Sequence, residues 1–389
     1  MNVQSDFPAL AGSHAGVCYL DSAATTLKPR CVIDAVGWFL QEGTSAVHRG
    51  IHPRSLTATD RFESTRERIA EWFLADAEEV VLTSGATDAI HLVRRGLRDL
   101  NSVVYTVMEH HSNYVPWMDV ANHHCLGVDA DGQIDLETLG EQLAGGVDLV
   151  AITHQSNVLG SITRLEEIVE LTHRHGAMIL VDAAQSAAHD PPDFGGLGID
   201  FLACSAHKML GPSGSGALLV ARHVQDRLRP VRFGGNMVSA VHGETFELQS
   251  PPHCFEAGTP AIESVIGWGA AIDYLDQLSP AGISHHLSEL TDRAANQLAA
   301  IDGVRLVSTS DPHRGPLVAF TIEGMEANAV VKILGNDQIF LRAGYHCAQP
   351  LHEHLGIGPS IRASFQVYNT PADIDRLTEK IASLARVAG

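Results

Sequence analysis

Short continuous apolar runs alternate with amphipathic stretches through the middle of this chain, and that alternation predicts its elements. Residues 79–83 (Glu-Val-Val-Leu-Thr) read as a strand and 87–98 as a helix. Strands follow at 102–107, 148–153, 177–182, 200–204 and 216–220, with helices expected over 113–123 and 164–175. Strands that read as unbroken apolar runs are those buried on both faces, as in a mostly parallel sheet with helices on either side. The pattern changes near residue 260. One long helical stretch covers 263–278 and ends at Ser279-Pro280. Beyond it, strand candidates at 304–307, 317–322 and 338–341 are interleaved with helices at 289–300, 327–334 and 371–387. A three-stranded sheet with helices on one face is the simplest small unit that this second pattern builds.

The fold class expected is therefore α/β, with a large mostly parallel sheet and a smaller α/β C-terminal unit. The expected division is an arm over 1–30 that packs on the small unit, a large domain over 31–265 and a small domain over 266–389. The chain's 389 residues suit two domains.

Composition narrows the partners. The chain has 26 Lys and Arg against 46 Asp and Glu, a net charge of −20. Such a surface repels phosphate backbones and anionic membranes, so neither nucleic acid nor a membrane is expected as partner. There is no run of about 18 apolar residues to cross a bilayer, and the first residues carry neither a basic nor an apolar leader segment. The six cysteines include no C-x-x-C pair, which fits a reduced cytoplasm. His123-His124, His285-His286 and His352-x-His354 lack metal-ligand spacing, so no metal is expected.

The chemistry is concentrated in two stretches. Asp182 stands at the C-terminal end of a predicted buried strand, where open α/β sheets place their ligands. Lys208 follows in Ser205-Ala-His207-Lys208, ahead of the small-residue run Gly211-Pro-Ser-Gly-Ser-Gly216. A carboxylate and a lysine so placed point to pyridoxal phosphate (PLP): the amine condenses with the aldehyde, and the carboxylate keeps the pyridine nitrogen protonated. Taken alone, such an Asp and Lys read better as a loop cap and a solvated surface residue, and it is the small-residue run and a second loop upstream that shift the balance. A second loop, Thr83-Ser-Gly-Ala-Thr-Asp88, joins a strand to a helix; there free amides near Ala86 and Thr87 would favour a phosphate.

Eight ordered blocks now give a resemblance. They are Tyr19-Leu-Asp-Ser-Ala-Ala24, Ala46-Val-His-Arg-Gly50, Met108-Glu-His-His111, Ser156-Asn-Val-Leu-Gly160, Asp182-x-x-Gln185, Ser205-x-His207-Lys208, Phe255-Glu-Ala-Gly-Thr-Pro260 and Arg362-Ala-Ser-x-x-x-Tyr368-Asn-Thr370. Together they resemble the Suf-type (group II) cysteine desulfurases, in the class V aminotransferase family of fold-type I PLP enzymes. The resemblance implies that Lys208 is the Schiff-base lysine, that Asp182 pairs with the pyridinium nitrogen, that Gln185 bonds the phenolic oxygen and that His110 stacks on the ring and shares in catalysis. It places Ala86, Thr87, Ser205 and His207 at the phosphate, with Thr259 arriving from a partner subunit of a homodimer. Asn157 and Arg362 would hold the substrate carboxylate, and His48, Arg49 and Arg342 would line the substrate mouth.

A desulfurase also needs a thiolate to accept sulfur. Cys347, in Arg342-Ala-Gly-Tyr-His-Cys-Ala-Gln-Pro350, occupies a loop with neighbouring imidazole and guanidinium groups, and it matches the family's nucleophile position. Cys18, Cys125 and Cys204 read as inert small hydrophobes. Three departures stand out: Tyr345 where these desulfurases carry histidine, Ala86 where threonine is common, and Ala261-Ile-Glu263 after the Gly-Thr-Pro. The expected reaction converts L-cysteine to L-alanine and a persulfide on Cys347, destined for an acceptor protein such as those of iron–sulfur assembly, with selenocysteine as a second substrate. The rival is a C–S lyase acting on an S-conjugated cysteine, for which Cys347 is dispensable. A PLP-fold binding protein without turnover is a further reading, disfavoured because no member of the cofactor set is missing.

Overall fold

In the computed structural model, which describes residues 1, 3–12 and 16–388, the alternation over residues 80–220 forms one seven-stranded sheet. Its strands are β1 (Val80–Thr83), β2 (Ser102–Thr106), β3 (Asn122–Leu126), β4 (Leu149–Thr153), β5 (Met178–Asp182), β6 (Phe201–Ser205) and β7 (Gly216–Val220). They lie in the order β1-β7-β6-β5-β4-β2-β3; β7 is antiparallel to both neighbours and every other pairing is parallel. Every residue of β2, β4, β5, β6 and β7 is buried. That is why these strands read as unbroken apolar runs: helices cover both faces.

The helix expected over 113–123 is instead two short turns, His111–Tyr114 and Val115–Trp117, followed by edge strand β3. Pro116 cannot donate to an α-helical ladder, so the helix stops there. The edge strand exposes Asn122 to Cys125, so it shows none of the apolar continuity of its neighbours. Cys125 is thus exposed rather than an inert core residue, while Cys18 and Cys204 are buried.

A second sheet has four antiparallel strands rather than three. β8 (Val304–Leu306), β9 (Leu317–Ile322), β10 (Arg342–Gly344) and β11 (Ser360–Ser364) lie in the order β8-β9-β11-β10. The apolar pair Ile339–Phe340, read as a strand of this sheet, pairs in parallel with Cys18–Tyr19 instead. β11 escaped the apolar pattern because its buried face is polar: Ser360, Arg362 and Ser364 are all buried. Residues 280–288, unassigned from sequence, begin the helix Pro280–Ala299, whose first turn is capped by Ser279 accepting from Gly282 N. The N-terminal segment lies against this region. Phe7 meets Tyr368 and Tyr274 edge-on at 4.8 and 5.9 Å, and Ser22 Oγ is 2.8 Å from Tyr368 Oη.

Two glycines make the cofactor-side loops possible. A Cβ on Gly216 would sit 2.5 Å from both the Cys204 carbonyl oxygen and the Gly85 Cα, while Gly85 itself has φ 151°. Their close approach brings the start of the helix Ala86–Gly96 onto the end of β6.

The long helix Pro53–Trp72 is tied to the large sheet by Arg66. This buried guanidinium donates to both oxygens of buried Glu256 (2.6 and 3.0 Å), to Glu63 and to the Val80 carbonyl (2.7 Å). Removing one partner of such a pair strands the other charge. We therefore predict that Arg66→Met lowers stability by about 3–5 kcal/mol. Urea unfolding checks this, and the double variant Arg66→Met/Glu256→Leu should recover a good part of the loss.

Candidate active site

The C-terminal ends of β4, β5 and β6, the N-terminus of the helix Ala86–Gly96, the segment Ala23–Thr25 and the polar end of the small sheet enclose one cavity of about 280 Å³. Of the residues singled out from sequence, it is lined by Lys208, Cys347, His110, Ala86, Thr87, Asp182, Gln185, Ser205, His207, Asn157, Arg342 and Arg362.

On the floor, Asp182 ends β5 and is 4% exposed. Its Oδ1 accepts from Ala184 N at 2.9 Å, and burial pushes its carboxyl up from the usual range. A carboxylate so desolvated favours a cation or N–H donor opposite it. Lys208 faces the same cavity; burial lowers its ammonium to about 8, against the opposing pull of Asp182. An amine held near neutrality is one that can act as nucleophile and base. His110 accepts at Nδ1 from Ser112 N (3.1 Å), and burial, then Lys208, lower it to about 3, so the ring is neutral. Beside them Glu109 is fully buried, held by Thr106 Oγ1 (2.7 Å) and Asn113 Nδ2 (2.6 Å). Burial lifts it to about 8, so no second negative charge competes with Asp182 near neutral pH.

At the helix start no side chain caps the first turn; Ala86 N donates to Ser205 Oγ at 2.8 Å, and Thr87 Oγ1 lies 2.8 Å from Ser112 Oγ. His207 is lowered to about 4 by burial. The amides of Thr87 and Asp88, left uncommitted at this helix N-terminus with hydroxyls and an imidazole around them, can make a phosphate cradle. Gln185 gives one amide hydrogen to the Ala23 carbonyl (3.0 Å); its NH₂ carries a second.

Across the cavity Arg362, on β11, is 2% exposed. Its Nη1 donates to the Asn157 carbonyl (2.8 Å), its Nη2 lies 3.5 Å from Asp21, and its buried Nε has no partner. Burial lowers it to about 10. A buried guanidinium with an unused donor fits a substrate carboxylate. Arg342 pairs with Asp21 at 3.0–3.2 Å. Asn157 donates to the His346 carbonyl (2.6 Å). Cys347 is exposed, with φ 56°, and its carbonyl accepts from His111 N at 2.7 Å.

Within the chain, His48 and Arg49, expected at the substrate mouth, lie elsewhere, as does Thr259, which was expected from a partner subunit. His48 is bound to Glu63 (2.7 Å) and Asn236 (3.3 Å), and Arg49 reaches the Val238 carbonyl. Neither lines the mouth of this chain's cavity, because His48 is drawn into the Glu63–Arg66 network. Thr259 lines a separate cavity with Thr83, Asp88 and Arg232. Sequence reasoning in turn gave no role to Asp21 or Glu109. Both stand inside quoted blocks, Tyr19–Ala24 and Met108–His111, each directly after an apolar residue, and that was the available signal. Among the described residues, no group of three or more His, Cys, Asp or Glu is placed to hold a metal.

Comparison with known proteins agrees with this geometry. The chain is 41% identical to a probable cysteine desulfurase of Halalkalibacterium halodurans, over 96% of this chain and 95% of that protein. It is 38% identical to a cysteine desulfurase of Escherichia coli O127:H6, over 100% and 98% of the two chains. Its fold superimposes on an apo cysteine desulfurase from Thermococcus onnurineus with a TM-score of 0.94 (32% identity, covering 99% and 98%). A cysteine desulfurase from Escherichia coli, solved in an S-sulfonic acid form, gives 0.91 (34% identity, covering 99% and 98%). The profile of the family described as Aminotransferase class-V matches residues 18–377, and the chain belongs to that family.

Proposed function

We propose that this protein is a PLP-dependent cysteine desulfurase that takes sulfur from L-cysteine onto Cys347 and releases L-alanine. The observation that carries the reading is the presence of an exposed thiol in the same cavity as a lysine–carboxylate pair and a buried arginine. Lys208 would hold PLP covalently and the helix start its phosphate, and the cofactor would supply an electron sink for bond-breaking at the substrate's α-carbon. The chain's own residues do the rest. Asp182 holds the proton on the pyridine nitrogen. Arg362 orients the substrate carboxylate and Asn157 braces it. The Lys208 amine, whose affinity for protons burial lowers, would take the α-proton, and neutral His110 would offer its ring face to the cofactor. Cys347 thiolate then attacks the substrate sulfur: the S–S bond forms, the Cβ–S bond breaks and its electron pair stays on Cβ, which takes up a proton, while the α-carbon regains the proton held by Lys208, giving alanine.

Exposure of Cys347 supports handing the persulfide to an acceptor protein, such as one serving iron–sulfur assembly, and selenocysteine suits the same cavity. A homodimer accounts for two further features: His48, Arg49 and Thr259 sit away from their own cavity, and the loop and hairpin beside them expose Phe233, Val241 and Phe246. No helix among the described residues is long and apolar enough to cross a membrane, in keeping with a cytoplasmic enzyme. One observation favours the lyase alternative: Tyr345, two residues before the thiol where these desulfurases carry histidine, is 38% exposed and edge-on to His352 at 5.3 Å.

Cys347→Ser decides between the two. Alanine and persulfide formation from L-cysteine should fall by more than about a hundred-fold, because a hydroxyl is a poor nucleophile toward sulfur. Stability should change by less than about 1 kcal/mol at this exposed position. Full activity of the variant on an S-conjugated cysteine, with the wild type inert toward cysteine, would establish the lyase. Arg362→Lys should raise KM for L-cysteine by about ten-fold or more, since an ammonium cannot make the bidentate pair; steady-state kinetics read this directly. Capture of PLP by the cofactor-free protein needs the neutral amine of Lys208. Its folded value lies below that of a free lysine, so the capture rate should rise with pH through about 8 and then level. Stopped-flow absorbance follows it, and Lys208→Ala should show no covalent capture at any pH.

A further inference from the structure

His346 and Cys347 are consecutive left-handed residues, with φ of 51° and 56°, and neither is glycine. Such a turn persists only where its surroundings hold it. Asn157 and His111 grip the two carbonyls. A third restraint runs through side chains: Ser360 Oγ lies 3.1 Å from His346 Nε2 and 3.0 Å from His352 Nε2, and His352 Nδ1 lies 3.0 Å from the Ala348 carbonyl.

The donors in this chain assign themselves. A carbonyl only accepts, so His352 carries its proton on Nδ1 and its Nε2 is bare. The Ser360 hydroxyl therefore donates to His352 Nε2, and its oxygen accepts from His346 Nε2–H. His346 is left with an unprotonated Nδ1, and that atom is buried without a partner. Burial lowers both imidazoles, His346 to about 2, in keeping with two neutral rings. Ser360 is itself fully buried at the end of β11 and pairs with Gly344 on β10, two residues before His346.

We propose that Ser360 is a positioning residue for the sulfur-accepting turn: acting through His346, it holds Cys347 in its left-handed conformation and fixes His346 as the Nε2–H tautomer. In that form His346 has no proton on the nitrogen that remains free, so it anchors the nucleophile and is not its acid. The inference rests on the reading of Cys347 as sulfur acceptor, yet its structural content can be tested apart from turnover.

The test compares Ser360→Ala with Ser360→Thr, which keeps the hydroxyl, in PLP-loaded enzyme whose other exposed thiols are removed (Cys31→Ser, Cys125→Ser). Ser360→Ala should keep the cofactor absorbance. It should change the rate and pH profile of Cys347 alkylation by iodoacetamide, and should lower kcat for L-cysteine by about ten-fold or more with KM little changed, as small misplacements of reacting groups do. Ser360→Thr should restore both. Wild-type alkylation and turnover in Ser360→Ala would overturn the proposal, as would a folded Ser360→Thr that restores neither. If Ser360→Ala fails to fold, ¹⁵N-histidine spectra of the wild type decide: His346, assigned against His346→Gln, should show a protonated Nε2 and a bare Nδ1. The opposite tautomer or an imidazolium refutes the assignment. A wild type inert toward cysteine would remove the sulfur-acceptor reading, while alkylation and the tautomer would still report on Ser360.

Discussion

Two arginines face each other across the small sheet, and much of the active site follows from how their charges are reconciled. Arg342 and Arg362 are direct partners on adjacent antiparallel strands, an arrangement that is unfavourable for like charges. Asp21 resolves it, pairing with Arg342 at 3.0 Å and Arg362 at 3.5 Å. Because Asp21 belongs to the N-terminal segment, satisfying the arginines also fixes that segment along β11, where Asp21 bridges Ser364. The same segment then crosses to the lysine loop. Thr26 N, Thr26 Oγ1 and Lys28 Nζ all reach the His207 carbonyl at 3.0 Å, one residue before Lys208. Arg362 meanwhile holds the Asn157 carbonyl on the large-sheet side. A single carboxylate thus lies at the centre of the contacts that bring the thiol, the lysine and the buried arginine around one cavity.

Burial sets the chemistry of that cavity. Withdrawing ionisable groups from water penalises their charged forms, and here it drives His110, His207 and His346 toward neutral rings, Glu109 toward a neutral acid and Lys208 toward a free amine. In the proposed reaction the charges kept inside have distinct work: Asp182 would face the cofactor nitrogen and Arg362 a substrate carboxylate. A site built in this way spends little on reorganising solvent when substrate enters, because its dipoles are already oriented.

How much of this was legible in the sequence differs by residue, for physical reasons. The interior strands were readable because burial on both faces demands unbroken apolar runs, and Asp182, Lys208 and the Gly85 turn were readable because each interrupts or ends such a run. Strand β11 was not, since its buried serines and arginine are satisfied by partners far away in the chain: Leu20, Asn157 and His346. Edge strand β3 was not, since one exposed edge leaves no periodic signature. The sequence by itself therefore determined the layered α/β fold and the cofactor chemistry, and it singled out the thiol taken up in the proposed reaction, all of which depend on local pattern or residue type. Tertiary structure alone decided that Asp21 bridges two arginines, that Glu109 is neutral, that His48 and Arg49 stand apart from this chain's cavity, and that Ser360 links two histidines. Each of those outcomes is a pairing between groups distant in sequence, and such pairings depend on distances in the folded chain that no local pattern encodes.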